Sequence, residues 1–207
     1  MLNLPLIYKV LGTLLQLEAL MLGVCFGMGY WFHETHHLTF ALPALIALTI
    51  GTLLRFFGRH AENRMGRRDG FLIVSLTWIV FSIIGMLPFL VGNYQPRVAA
   101  AFFETMSGFT TTGATAFTDV DALPRSILLW RSMTHWIGGM GIVFFTIAIL
   151  PNMGGGELKL FSAEATGLKI DKLHPRISTT ARWLWSLYLL LTITCMGAYF
   201  LGGMGLF

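Results

Sequence analysis

Four stretches of this chain, residues 4–32, 38–57, 71–91 and 181–207, are apolar over the roughly 20 residues that a helix needs to cross a bilayer core. No other feature limits the possible folds so strongly. In hydrocarbon a backbone must satisfy its own polar groups, so such runs have to be helices. A fifth stretch, 126–150, is interrupted by Arg131 and His135 near its start and then runs apolar. The expected class is therefore an all-α integral membrane protein. Composition agrees: 55% of the 207 residues are hydrophobic and 12% are charged, about half the charged share of a soluble domain. Residues 4–32 are too long for a signal-peptide core and have no small-residue cleavage site behind them. Cys25 and Cys195 both lie inside apolar runs, which reads as packing and not as a disulfide framework or zinc cluster. The net charge of +4 does not imply nucleic acid, because the basic residues sit between apolar runs and are not interleaved with exposed aromatics.

Residues 92–125 break the pattern. They hold one apolar run, 98–109, whose 12 residues span about 18 Å as a helix, half a membrane. The chain then passes through Thr110, Thr111, Thr112, Gly113, Ala114 and Thr115 to a polar return with Asp119 and Asp121. Loop charge decides how this stretch is read. Arg55, Arg59, Arg64, Arg67 and Arg68 follow the second run; Lys159, Lys169, Lys172, Arg176 and Arg182 follow the fifth. These are ten of the fourteen basic residues. Lys and Arg accumulate in cytoplasmic loops. Both clusters fall on one side only if 98–109 enters and leaves by the same face. The N-terminus is then cytosolic, residues 92–125 external and 151–180 cytosolic.

A half-helix, a Thr/Gly loop and a full helix form the helix–pore loop–helix unit of cation channels. Non-helical backbone at membrane depth is tolerated where protein buries it or where it lines a water-filled path. A half-helix ending near the bilayer centre turns the negative end of its dipole toward a cation. Small residues let successive carbonyls replace the hydration shell of a monovalent cation. Gly113 can take backbone angles closed to the threonines. The simpler alternative is an exposed Thr-rich loop. The half-length helix, the charge topology and Gly113 together weigh against it.

The same residues carry a resemblance. Ala101-Phe102-Phe103-Glu104-Thr105-Met106-Ser107, followed by Thr110-Thr111-Thr112-Gly113-Ala114-Thr115, resembles the first pore loop of the Trk/Ktr/HKT superfamily of potassium transporters, and within it the bacterial Trk membrane subunits. The match runs on through Leu123-Pro124, Arg131, Trp136-Ile137-Gly138-Gly139-Met140-Gly141-Ile142 and Ala148-Ile149-Leu150-Pro151. Arg67-Arg68-Asp69-Gly70, Leu87-Pro88-Phe89, Ala163-Glu164 and Pro175-Arg176-Ile177 agree as well. The resemblance implies four such repeats around one pore, preceded by two extra helices. It implies that potassium is the substrate, that no cofactor is held in this chain, and that Thr110, Thr111, Thr112, Gly113 and Ala114 line one quarter of the filter. The ion itself would sit at Thr111, Thr112 and Gly113. It further implies a multi-pass inner-membrane protein that meets a cytosolic nucleotide-binding regulatory subunit and is a homodimer when complete. On this reading residues 1–66 are the two extra helices, 67–151 the first repeat, 152–180 a cytosolic linker and 181–207 the first helix of an incomplete second repeat. The 207 residues are then part of a longer transporter.

Other residues yield narrower expectations. Glu104 and Arg131 are expected to pair and to brace the loop from behind, since isolated charges there cost several kcal/mol. Gly138 and its neighbours should let another backbone approach closely. His135 reads as a packed helix residue. Glu18, in the middle of the first run, reads as a structural hydrogen bond or a neutral acid, with a proton or cation site as the alternative. His33-Glu34-Thr35-His36-His37 matches the H-E-x-x-H pattern, in which two histidines on one helical face bind zinc and the glutamate is a base. A membrane zinc protease is thus a second function class, although the pattern falls at a turn. A non-conducting membrane module or anchor, acting through residues 151–180, is a third.

Overall fold

Seven α-helices follow one another among the residues described in the computed structural model, which are 2–34, 36–61, 66–149 and 177–203. They are α1 (Leu4–Trp31), α2 (Ala41–Phe57), α3 (Arg67–Gly85), α4 (Leu87–Val91), α5 (Val98–Phe109), α6 (Arg125–Ile149) and α7 (Ile177–Leu201). A 3-10 turn, His37–Phe40, leads into α2. No strand occurs among these residues. Among the described residues, four helical stretches are long and apolar enough to cross a membrane: Leu4–Trp31, Leu38–Phe57, Arg68–Val91 and Arg182–Leu201. Helix α6 matches them in length but carries Arg131 and His135 in its first half. The molecule divides into two units, Met1–Gly139 and Met140–Phe207. The second contributes α7, an apolar helix of 25 residues. Most of the stretch read as a cytosolic linker, 152–180, lies outside the described residues.

In the first unit α1 and α2 form an antiparallel pair held at glycine crossings. A Cβ on Gly12 would lie 2.6 Å from the Gly51 carbonyl, and one on Gly51 would lie 2.9 Å from that of Gly12. Further down, a Cβ on Gly58 would stand 2.5 Å from the Lys9 nitrogen. Helices in lipid gain nothing from expelling water between them, so close backbone packing supplies the attraction.

Helix α3 begins four residues before the apolar run does. Asp69 is the cause. Its Oδ2 accepts the Gly66 amide at 2.9 Å, which closes the first turn, and its Oδ1 accepts the Asn3 amide at 2.9 Å, which ties α3 to the start of α1. The third apolar run is also divided. Pro88 has no N–H to continue the helical ladder, so α3 ends at Gly85 and α4 resumes at Leu87.

The half-length helix α5 is packed between α3 and α6. Phe109, at its end, meets Phe81 of α3 with ring centroids 5.4 Å apart and Trp130 of α6 at 6.4 Å. Trp130 is fully buried, and its indole N–H donates to the Gly85 carbonyl at 2.9 Å. Small residues allow this closeness. A Cβ on Gly85 would come within 2.6 Å of Thr105, and one on Gly108 within 2.2 Å of Thr134.

Candidate functional site

Helix α5 stops because the chain turns left-handed, and it does so at a threonine. Thr111 has φ +55°. Its amide donates to the Gly108 carbonyl and that of Thr112 to the Ser107 carbonyl, both at 2.9 Å. These two bonds are a Schellman ending, in which the left-handed position is normally glycine. A β-branched residue there is an outlier that costs on the order of 1–3 kcal/mol and persists only where surroundings impose it. The Thr110 hydroxyl donates back to the Met106 carbonyl at 2.8 Å and accepts from Thr112 Oγ1 at 2.8 Å. Gly113 follows with φ +77°. A Cβ there would meet nothing within 4 Å, so in this chain the backbone angle and not crowding calls for glycine.

The hydroxyls of Thr110 and Thr112 and the amides of the turn are thus engaged locally, while its carbonyls are not. Among the described residues, no hydrogen bond ends on the carbonyls of Thr110, Thr111, Thr112 or Gly113. Four successive peptide oxygens are therefore left without a donor among the described residues. The Ala114 carbonyl differs, because it accepts the Ser107 hydroxyl at 2.6 Å.

Behind the loop lies Glu104, 3% exposed. Its carboxylate accepts the Ala116 amide at 2.7 Å and the Thr115 hydroxyl at 3.0 Å. Arg131 of α6 closes the group, with Nε and Nη2 each 2.7 Å from Glu104 Oε1. The same guanidinium stands 5.6 Å from the centre of the Phe117 ring. The structure therefore brings Glu104, Arg131 and the chain leaving the loop into one cluster. Gln95, for which the sequence suggested no role, donates to the Ala116 carbonyl at 3.2 Å.

Gly138 meets its expectation: a Cβ on it would lie 2.1 Å from the Phe109 carbonyl oxygen. His135 turns onto its own helix, with Nδ1 2.8 Å from the Arg131 carbonyl. Cys25 is buried and its thiol donates to Met133 Sδ at 3.7 Å. Glu18 is different. It is fully buried, and neither carboxylate oxygen has a hydrogen-bond partner. Of the two structural readings, the hydrogen bond finds nothing to bond to among the described residues.

The H-E-x-x-H pattern is dispersed. Helix α1 ends before it, and His33 takes φ +53° in a second Schellman turn. Glu34 accepts the Ser126 amide at 3.1 Å on one oxygen and the Ser126 hydroxyl on the other. It therefore caps α6 and ties the α1–α2 turn to that helix. Arg125 covers the Phe32 ring at 4.6 Å beside it. Burial and, secondarily, the charge of Glu34 raise the phenol of nearby Tyr94 above its ordinary range. No group of three metal-ligating side chains occurs among the described residues.

The model of the TrkH family, described as a cation transport protein, matches residues 36–204. The Trk system potassium uptake protein TrkH of Halomonas elongata is 40% identical over 99% of this chain and 43% of its own length. That of Escherichia coli K12 is 44% identical over 81% of this chain and 35% of its own. Among solved structures, the potassium transporter TrkH from Vibrio parahaemolyticus superposes with a TM-score of 0.81 at 36% identity, over 97% of this chain and 40% of that one. The chain thus spans about two fifths of the length of the relatives it matches.

Proposed function

Since the chain belongs to the TrkH family of cation transport proteins, we propose that it supplies one potassium-coordinating segment of a longer uptake transporter. The family is one of multi-pass membrane transporters and not of enzymes, so the zinc protease alternative falls. On this reading residues 67–151 are one helix–pore loop–helix repeat, α1 and α2 are the two helices before it, and α7 opens the next repeat. Thr110, Thr111, Thr112, Gly113 and Ala114 form the filter segment. Glu104 and Arg131 support it from behind. Three further repeats of the same protein complete the ring. The whole protein, on the same resemblance, is an inner-membrane homodimer with a cytosolic nucleotide-binding regulatory subunit.

One observation supports this above the others. A half-length helix ends in four successive carbonyls on which no hydrogen bond ends, held between two longer helices. Such a run is costly at membrane depth unless a cation or water takes the place of the missing donors. The membrane potential supplies about 2.3 kcal/mol per charge per 100 mV. That corresponds to about fifty-fold accumulation without chemical coupling.

Gly113→Ser in the full-length transporter is expected to weaken the preference for potassium over sodium. The substitution strains a residue at φ +77° and places a side chain beside the ion path. Competition of the two ions for uptake measures it, and an unchanged ratio would take Gly113 out of the filter. Topology gives a second test. With Cys25 and Cys195 replaced, an impermeant thiol reagent added outside should label Asp121→Cys and not His60→Cys. Both positions are exposed. Equal labelling would overturn the cytosolic placement of the arginine-rich loop.

A further inference from the structure

The chain leaving the loop is stitched to its surroundings at three consecutive residues. Ala114 gives its carbonyl to the Ser107 hydroxyl at 2.6 Å. Thr115 donates its hydroxyl to Glu104 at 3.0 Å. Ala116 is held on both backbone atoms, by Glu104 at 2.7 Å and by Gln95 at 3.2 Å. The bond from Ser107 differs in kind from the others. It is the only one of these that ends on a carbonyl adjoining the unbonded run, and its donor is 4% exposed, on the buried side of α5. Ser107 also gives its own carbonyl to the Thr112 amide at 2.9 Å. A single residue of α5 therefore grips the loop on both sides of Gly113, by main chain before it and by side chain after it.

From this we infer that Ser107 is a positioning residue for selectivity: it holds the Ala114 carbonyl against α5 and so ends the ion-coordinating run at Gly113. The inference rests on the filter reading above and narrows it. Four carbonyls, those of Thr110 to Gly113, face the cation, and the fifth is withheld. Gly113, with its left-handed angle and no side chain, has the most freedom in the loop. A fixed residue immediately after it is what keeps its peptide in one orientation. Without the hydroxyl, the Ala114 carbonyl regains both lone pairs and can swing toward the ion. Discrimination by number and field strength of carbonyls is sensitive to such a change.

The test uses the full-length transporter at matched membrane expression, with potassium and sodium competing for uptake. Ser107→Ala should lower the potassium-to-sodium preference about fivefold, the ratio equivalent to one neutral hydrogen bond. Ser107→Cys keeps the size and weakens the donor; it should give an intermediate ratio and stands in if the alanine variant fails to reach the membrane. Gly113→Ser is run beside them as the readout of the filter reading alone. A wild-type ratio in both Ser107 variants, with an altered ratio in Gly113→Ser, overturns the role of Ser107 and leaves the filter in place. Wild-type ratios in all three overturn both. A merely structural role would reduce the amount of protein or its uptake rate without moving the ratio, and that result also overturns the inference.

Discussion

Glu104→Gln is expected to destabilise the transporter by about 3–5 kcal/mol, the cost of leaving one member of a buried pair uncompensated. The geometry explains why so conservative a change is severe. Every group that meets the Glu104 carboxylate is a donor: the Ala116 amide, the Thr115 hydroxyl and two nitrogens of Arg131. A glutamine NH2 must face at least one of them. The Glu104 and Arg131 side chains are only 2% and 15% exposed, so water cannot replace what is lost. Arg131→Gln should cost a similar amount, because it strands the carboxylate and removes the guanidinium from beside Phe117. The double variant should cost less than the two losses together, with a coupling of about 0.5–3 kcal/mol. Thermal unfolding in detergent, with uptake alongside, measures all three. Strictly additive losses would mean that the two residues do not act as a pair.

Gly138→Ala adds a single methyl group, yet it should abolish most uptake. Its Cβ would lie 2.1 Å from the Phe109 oxygen, 2.7 Å from the carbonyl carbon and 3.0 Å from Cα. All three are backbone atoms, so no rotamer change relieves the clash. Phe109 cannot easily move either, with its ring fixed by Phe81 and Trp130. Over-packing of a core costs about 1–3 kcal/mol, and a contact with rigid backbone belongs at the upper end. The consequence is functional as well as structural, because the next residue is Thr110. Displacement of the Phe109 peptide passes directly into the carbonyl run. Gly27→Ala, whose Cβ would meet nothing within 4 Å, is the control and should retain uptake. Equal activity of the two variants would show that α6 and the end of α5 are not in the contact described.

What could be read from the sequence and what could not divide along a physical line. Helix length and apolarity are local properties, so the long helices and the half-length one could be located from the chain alone, α5 to the residue. The Thr/Gly run after α5 was legible for the same reason, since small residues and backbone freedom are written in the residues themselves. The class of protein followed, because the hydrocarbon interior admits few backbone solutions.

Partners distant in the chain were another matter. Glu34 reaches Ser126 across 92 positions and Asp69 reaches Asn3 across 66; no periodicity encodes either bond. The H-E-x-x-H spacing had meaning only on a helix, and α1 ends before it begins. Thr111 shows the limit most clearly. A left-handed turn is announced in a sequence by glycine, because glycine alone enters it without strain. Here the conformation falls on a threonine, at the end of a helix packed between α3 and α6. Ser107 and Gln95 gave no signal of their own, for a serine in a helix and a glutamine in a loop have many uses. Only the folded chain decided which carbonyls these side chains would take and which four would be left without a hydrogen bond among the described residues.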